Sequence, residues 1–116
     1  MTIVIAGEID LRPESRAAAL AGAEDLIKAA LQEPGCRHYA WTADPFDPGR
    51  VHVFEQWDSE AELADHFLAA PYRGMLAHLS TQGLLKSETR KYKVDRIEPV
   101  YGADGVPTAA FLTVAE

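Results

Sequence analysis

The stretch from Val51 to Ala70 reads VHVFEQWDSEAELADHFLAA, and within it the spacing of apolar residues changes from two to about 3.6. Up to Trp57 the side chains alternate between two faces, which predicts a β-strand. Ser59 and Glu62 then match a capping box, in which each side chain satisfies a free backbone N–H of the first helical turn. The stretch therefore predicts a strand that leads directly into a capped amphipathic helix.

The sequence after this helix predicts one more helix and one more strand. Pro71 interrupts the helical pattern, and a second helical piece covers Tyr72–Leu79. Alternation returns from Lys86 to Ile97, which indicates a last strand. The remaining segment, 98–116, contains an apolar run at Ala109–Val114 that we expect to form a short strand or to contact a partner subunit.

The sequence before Val51 supplies two strands and a helix. The run Thr2–Ile9 is β-rich and largely apolar on both of its faces, so it needs cover on both sides. Pro13–Glu33 is Ala-rich with apolar residues at helical spacing, which predicts an amphipathic helix. Arg37–Thr42 is a strand that we expect to pair as a hairpin with the strand ending at Trp57, through a Pro- and Asp-rich turn.

The resulting order β-α-β-β-α-β is the ferredoxin-like split-βαβ arrangement, an α+β fold with both helices on one face of an antiparallel sheet. We assign it to residues 1–97, with 98–116 as a C-terminal tail. Val4, Ala6 and Phe54 fall on faces that this arrangement leaves bare. A second copy of the chain is the economical cover, so the pattern predicts a homodimer packed sheet to sheet.

Composition narrows the function classes. The chain has 116 residues, of which 47% are hydrophobic and 25% charged, as expected of one folded domain. Eighteen acidic against eleven basic residues give a net charge of −7, which argues against nucleic acid or an anionic membrane as the main partner. The single cysteine, Cys36, excludes an internal disulfide framework. We expect a cytoplasmic protein, because no signal or membrane-spanning run is visible.

Two polar residues at apolar positions are the candidates for chemistry. His66 shares a helix face with Leu63 and Phe67, and is either a core histidine with a satisfied hydrogen bond or an acid/base group that lines a cavity. Glu55 shares a strand face with two valines, and is either a hydrogen-bonding anchor or a carboxylate tuned for proton transfer. We expect Arg90 on the inner face of the last strand, as its partner or as an anion holder.

Three segments carry a family resemblance: Pro34-Gly-Cys-Arg-His-Tyr39, Val53-Phe-Glu-Gln-Trp-Asp-Ser59 and Ala64-Asp-His-Phe67. With the break at Pro71 they resemble the antibiotic biosynthesis monooxygenase family, in particular its small quinol monooxygenases. The resemblance implies a dimeric α+β barrel with a cavity between sheet and helices in each subunit. It also implies oxygenation of an electron-rich phenol, quinol or polycyclic aromatic by dioxygen, with no flavin, haem or metal.

The resemblance also implies roles for individual residues. Carried over onto this chain, the matching positions are Tyr39, Glu55, Trp57 and His66. We expect a catalytic set of His66, Tyr72 and Arg90, a substrate-binding set of Tyr39, Glu55, Trp57 and Phe67, and no metal ligand. The alternative is a non-catalytic dimeric barrel that binds a small aromatic ligand, because one fold serves several functions.

The bare sheet face generates the first prediction. The chain is expected to be a homodimer in solution, because a monomer would leave Val4, Ala6 and Phe54 in water. Light scattering at micromolar concentration should give the mass of two chains. The mass of a single chain at that concentration would show the prediction to be wrong.

Overall fold

A computed structural model describes residues 1–111. The described chain forms one antiparallel four-stranded sheet in the order β2-β3-β1-β4, with the helices on one face. The strands are β1 (Thr2–Leu11), β2 (Cys36–Ala43), β3 (Arg50–Trp57) and β4 (Leu84–Val94), and the helices are α1 (Arg16–Gly22), α2 (Glu24–Leu31), α3 (Glu60–Leu68) and α4 (Ala70–Thr81). The ferredoxin-like α+β fold that the sequence predicts is confirmed.

The sheet register places the candidate side chains. β1 lies in the centre and pairs antiparallel with β3 on one side and with β4 on the other. In the β2–β3 hairpin Tyr39 lies opposite Glu55, and Trp41 lies opposite Val53, as the sequence predicts. Ile5 pairs with Glu55 from the β1 side. Because neighbours across antiparallel strands point to the same face, these residues all lie on the face that the helices cover.

The first helical segment differs from its prediction. Instead of one helix over 13–33, a 3-10 turn at Pro13–Ser15 precedes α1, and α1 and α2 are separated at Ala23. His78 of α4 packs on this end of α1, where its Nε2 lies 2.8 Å from the carbonyl oxygen of Ala19. A Cβ at Gly22 would come within 2.6 Å of the His78 ring. Glycine at the end of α1 therefore allows the close approach of α4.

Ser59 caps α3 as predicted, but the Glu62 carboxylate contacts the Ser59 hydroxyl and not the Ser59 backbone N–H that a full capping box would pair with it. The Ser59 hydroxyl accepts a hydrogen bond from the backbone N–H of Glu62 at 3.3 Å, and donates one to the Glu62 carboxylate at 3.2 Å. α3 ends at Leu68, and Ala69 is extended with φ −84° and ψ 156°. Pro71 lies in the first turn of α4, where a missing N–H removes no helical hydrogen bond. The break therefore precedes the proline, and fixes the angle between α3 and α4.

The core lies between the sheet and the helices. Its buried apolar residues come from β1, β2, β3 and the four helices: Ile3, Ile9, Leu11, Ala19, Ala23, Ala30, Tyr39, Val51, Val53, Trp57, Leu63, Met75 and Leu79. β4 contributes none of them and is exposed along nearly its whole length. On the helix-free face Phe54 and Tyr92 are 42% and 49% exposed. Two large aromatic side chains are therefore exposed on this face, and the homodimer remains a prediction.

The segment after β4 is only partly described. Tyr101 and Pro107 form an isolated antiparallel bridge around a turn, and Phe111 is exposed. The predicted run Ala109–Val114 extends beyond the described residues, so its contact with a partner subunit remains a prediction. Within residues 1–111, no helix is both long and apolar enough to cross a lipid bilayer.

The capping box generates the second prediction. Ser59→Ala removes both hydrogen bonds at the start of α3, and should lower the free energy of unfolding by about 1 kcal/mol. Urea denaturation of the two proteins measures the difference. Ser80→Ala is the matched control, because the Ser80 hydroxyl is exposed and donates only to the Ala77 carbonyl within α4. Equal losses of unfolding free energy in the two variants would show that the Ser59 cap stabilises the chain no more than an exposed serine hydroxyl does.

Candidate functional site

His66 lies at the centre of an aromatic cluster beneath α3. Its side chain is 1% exposed, and its ring lies 4.5 Å from that of Trp57, centroid to centroid. The rings of Tyr39 and Tyr72 each approach edge-on at 5.5 Å, and that of Phe67 lies at 5.9 Å. β2, β3, α3 and α4 each supply at least one ring. The structure thus brings together five of the residues that the sequence singles out.

Two carboxylates face the two nitrogens of this buried imidazole. Nδ1 lies 2.9 Å from the Glu33 Oε2, and Nε2 lies 4.0 Å from the Glu55 Oε1. The Trp57 indole N–H donates to the same Glu55 oxygen at 3.0 Å. An ionised carboxylate can only accept, so the Glu33 bond favours the tautomer with the proton on Nδ1. In neutral His66 the lone pair on Nε2 then faces Glu55.

Burial shifts the acid–base properties of the groups around His66. The pKa of Glu55 is raised, chiefly because its carboxylate is desolvated, although the Trp57 hydrogen bond and the charge of His66 act in the opposite direction. The pKa of Tyr39 is raised far above its usual value by burial and by the charge of Glu55. Tyr39 is therefore a neutral wall of the cluster at neutral pH.

A cavity of about 410 Å³ opens beside this cluster, between α3 and the outer part of the sheet. The residues that line it are Ile3, Glu60, Leu63, Ala64, Phe67, Lys91, Tyr92 and Lys93, although the register of β4 turns the Tyr92 side chain to the helix-free face. Phe67 is the residue that belongs to both the cavity and the cluster, and its side chain is 42% exposed. Tyr39 and Trp57, expected as cavity walls, contact the His66 ring but are not part of this cavity's lining. Neither is His66 itself, and Phe67 links it to the cavity.

Tyr72 and Arg90, which with His66 make up the expected catalytic set, lie in different parts of the structure. Tyr72, in the first turns of α4, is half-buried and contacts the rings of both His66 and Phe67, the latter at 5.0 Å. Arg90 pairs with Ala6, whose other neighbour across the sheet is Phe54, so its side chain lies on the helix-free face. The expectation that Arg90 shares a face with Glu55 is wrong. The register of β4 against β1 places Lys91 on that face instead, opposite Ile5.

Sequence reasoning missed Glu33 and the two cavity lysines. Glu33 follows α2 in the turn before β2, and it meets His66 across 33 residues of sequence. No motif links the two positions, so only the packing of α3 against this turn reveals the pair. Lys91 and Lys93 lie at alternate positions of a strand whose other face also carries a cation, and alternation alone cannot decide which face is inward.

The remaining candidates for chemistry lie outside the cluster or have ordinary structural roles. Cys36 is half-buried, and desolvation raises the pKa of its thiol to about 11, which disfavours the nucleophilic thiolate. Among residues 1–111, no hydrogen-bond partner reaches the buried Trp41 indole N–H, although the ring packs near Tyr39 at 6.2 Å. Over residues 1–111, no group of three His, Cys, Asp or Glu side chains is placed to hold a metal ion.

Comparison with known proteins places the chain in a family. The family model for antibiotic biosynthesis monooxygenase matches residues 2–77. An uncharacterized protein of Synechocystis sp. is 31% identical over 93 residues, which is 79% of this chain and 63% of that protein. The chain thus spans less than two thirds of the length of this curated relative.

Solved structures share the fold at low sequence identity. A candidate antibiotic biosynthesis monooxygenase from Deinococcus radiodurans superposes with a TM-score of 0.77 at 20% identity, over 88% of this chain and 100% of that one. A conserved protein from Methanosarcina mazei Go1 gives 0.73 at 22% identity, over 80% and 92% of the two chains. Both have the same α+β architecture as this chain. The match over residues 2–77 includes β1 to β3, α3 and the whole aromatic cluster around His66, and the chain belongs to the antibiotic biosynthesis monooxygenase family.

Proposed function

We propose that the chain is a monooxygenase that oxidises an electron-rich phenol, quinol or polycyclic aromatic with dioxygen, and that the substrate itself supplies all the electrons. The observation that carries this proposal is a buried imidazole, hydrogen-bonded to Glu33, one aromatic ring away from a cavity of about 410 Å³. Cavities of roughly 300–1,000 Å³ are typical of small-molecule sites. Membership of the family supports the same activity.

The reaction balances without an added reductant. For a hydroquinone, one atom of dioxygen enters the ring as a hydroxyl group and the other leaves as water. Hydroxylation and oxidation of the quinol to the quinone each remove two electrons from the substrate. Ground-state dioxygen reacts slowly with a neutral phenol, and a phenolate gives up an electron far more easily. The protein therefore has to bind a flat ring, remove a proton, hold the resulting anion and exclude water.

His66 is the proposed base. Glu33 holds the proton on Nδ1, so Nε2, which faces Glu55 at 4.0 Å, is the nitrogen left to accept a proton. Because Phe67 lines the cavity and contacts the buried His66 ring, a change of the Phe67 rotamer is the proposed route by which substrate and imidazole meet. The half-exposed position of Phe67 leaves room for that movement.

The neighbours of His66 take supporting roles in this proposal. Glu55 faces Nε2 at 4.0 Å and stabilises the imidazolium after proton transfer. Trp57 holds the Glu55 carboxylate in place through its indole N–H. The phenol group of Tyr72 is the proposed donor to the developing oxyanion, since its ring contacts both His66 and the cavity residue Phe67.

The near-complete burial of His66 also favours a second candidate function. With only 1% of the ring exposed, a rigid cluster would never present the imidazole to a substrate. The chain would then be a dimeric barrel that binds a small aromatic ligand in the cavity without turning it over. Catalysis and binding alone differ in oxygen consumption, so one assay separates them.

The third prediction tests catalysis. A panel of hydroquinones and anthrones under ¹⁸O₂ should give enzyme-dependent oxygen uptake, with one labelled oxygen in the product. His66→Ala should reduce the turnover by about 10²–10⁴-fold, as expected for loss of a general base. His78→Ala is the matched control, because like His66→Ala it removes an imidazole that lies on a helix and makes one hydrogen bond to a distant part of the chain. Oxygen electrode traces and mass spectra give the readout.

Three results would contradict the oxygenase. The panel could bind without oxygen uptake above the autoxidation blank, which would favour the binding protein. His66→Ala could keep full turnover with a lowered melting temperature, which would return His66 to a core role. Equal loss of turnover in the His66 and His78 variants would show that the effect comes from folding.

The fourth prediction concerns Glu55 and pH. Because burial raises its pKa, the folded chain keeps the Glu55 proton where the unfolded chain, with an ordinary pKa of 4.5, has lost it. Its contribution to stability is therefore complete below pH 4.5 and is lost as the pH rises through the raised pKa. Glu55→Gln keeps an acceptor for Trp57 without the charge, so it should raise the free energy of unfolding at pH 8 relative to wild type, and have little effect near pH 4. Urea denaturation at both pH values measures this difference.

A stability gain of the same size at both pH values would contradict the proposed ionisation of Glu55. If Glu55 stabilises the imidazolium, Glu55→Gln should lower turnover while it raises stability at pH 8. Unchanged turnover in this variant would show that the carboxylate is only a hydrogen-bonding anchor.

A further inference from the structure

The cavity beside α3 has an unusual charge for this protein. The chain as a whole carries a net charge of −7, yet the cavity lining includes two lysines and one glutamate. Lys91 and Lys93 of β4 pair with Ile5 and Ile3 of β1. Both lysine side chains therefore lie on the face of the sheet that α3 covers. A locally positive rim around an apolar floor attracts anions to a surface that would otherwise repel them.

The two lysines differ in their partners. Lys93 Nζ forms an ion pair with the Glu60 carboxylate at 2.6 Å, at the start of α3. Lys91 lies near enough to contribute to the lowered pKa of Glu60, but no carboxylate in residues 1–111 lies within ion-pair distance of its ammonium group. Lys93 is thus neutralised by Glu60, and the charge of Lys91 is available to a ligand.

The rest of the cavity lining is largely apolar. Ile3, Leu63 and Phe67 present aliphatic and aromatic surface, and Ile3 and Leu63 are buried in the core. A flat ring system fits such a surface through dispersion and burial of apolar area. An apolar surface beside one unpaired ammonium group matches a ligand that is aromatic at one end and anionic at the other.

From this arrangement we infer that the cavity between α3 and β4 selects aromatic ligands that carry a carboxylate or a similar anionic substituent, with Lys91 as the residue that recognises the charge. The inference rests on the proposed function only in naming this ligand as the substrate class, because the binding preference itself requires no turnover. It concerns a substituent that is ionised before any reaction, as distinct from the phenolate that forms at His66.

Matched probes test the inference directly. 1-Naphthoate and 1-naphthamide have nearly the same shape, and only the first carries a charge. Isothermal titration of the full chain should show that 1-naphthoate binds about tenfold more tightly at low salt, as expected of a hydrogen bond to a charged group. Added salt should weaken the binding of the naphthoate and leave that of the naphthamide unchanged.

Variants on β4 locate the effect. Lys91→Gln should remove most of the preference for the anion, and Lys91→Arg should keep it. Lys86→Gln is the matched control: it makes the same change of net charge on the same strand, but Lys86 pairs with Asp10 and is not part of the cavity lining. It should retain the preference of the wild-type chain.

The outcomes separate this inference from the proposed function. Equal affinity for acid and amide, no binding of either, or the same loss in the Lys86 and Lys91 variants would overturn the inference, whatever the oxygen assay shows. A lysine-dependent preference for the acid would support it, even if no substrate consumed oxygen. If the chain is an oxygenase, acidic quinols should also have a KM that rises in Lys91→Gln while kcat is kept.

Discussion

A polar ring buried in an apolar core is the constraint around which this structure is organised. An imidazole removed from water is costly unless its nitrogens find partners, and His66 finds one in Glu33 at 2.9 Å. Its second nitrogen faces Glu55, which is itself held by Trp57. The partners come from the turn before β2 and from β3, while His66 comes from α3. One ring therefore ties three separate parts of the chain to one geometry.

The position of the helices over the sheet explains why a cavity lies next to this ring. α3 packs on β1 and β3, whereas α4 packs on β4. β4 supplies no residue to the buried core, so the space between it and α3 is left open and lined from both sides. Phe67 lines this space and also contacts the ring of His66. The same packing that seals the imidazole thus places it one side chain away from a site that can hold a ligand.

The part of the molecule between His66 and Lys91 carries opposite charges at its two ends. Carboxylates surround the buried imidazole, which favours a proton arriving there, and Lys91 lies at the outer end, which favours an anion. A substrate between them would lose its proton toward His66 and keep its negative charge toward the lysine. Fixed charges placed in this way stabilise the charge that develops in a substrate as it reacts.

The sequence by itself determined the order of the elements, the hairpin register and the inward face of α3. Alternation placed Tyr39 opposite Glu55, and the capping box at Ser59 fixed the phase of the helix that carries His66. These features follow from local periodicity, which a single sequence records. Only the tertiary structure decided that Glu33 is the partner of His66, because a contact across 33 residues depends on how a turn packs against a helix.

β4 shows the same limit of prediction from sequence, because its inward face could not be identified. Both faces of β4 carry cations, so neither hydrophobicity nor alternation identifies the inward face. The sequence pattern predicts Arg90 on the inward face. Pairing of Ala6 with Arg90 and of Ile5 with Lys91 turned the arginine to the helix-free face and a lysine toward the cavity. Register against a central strand is a property of the assembled sheet, since a shift by one residue exchanges the two faces.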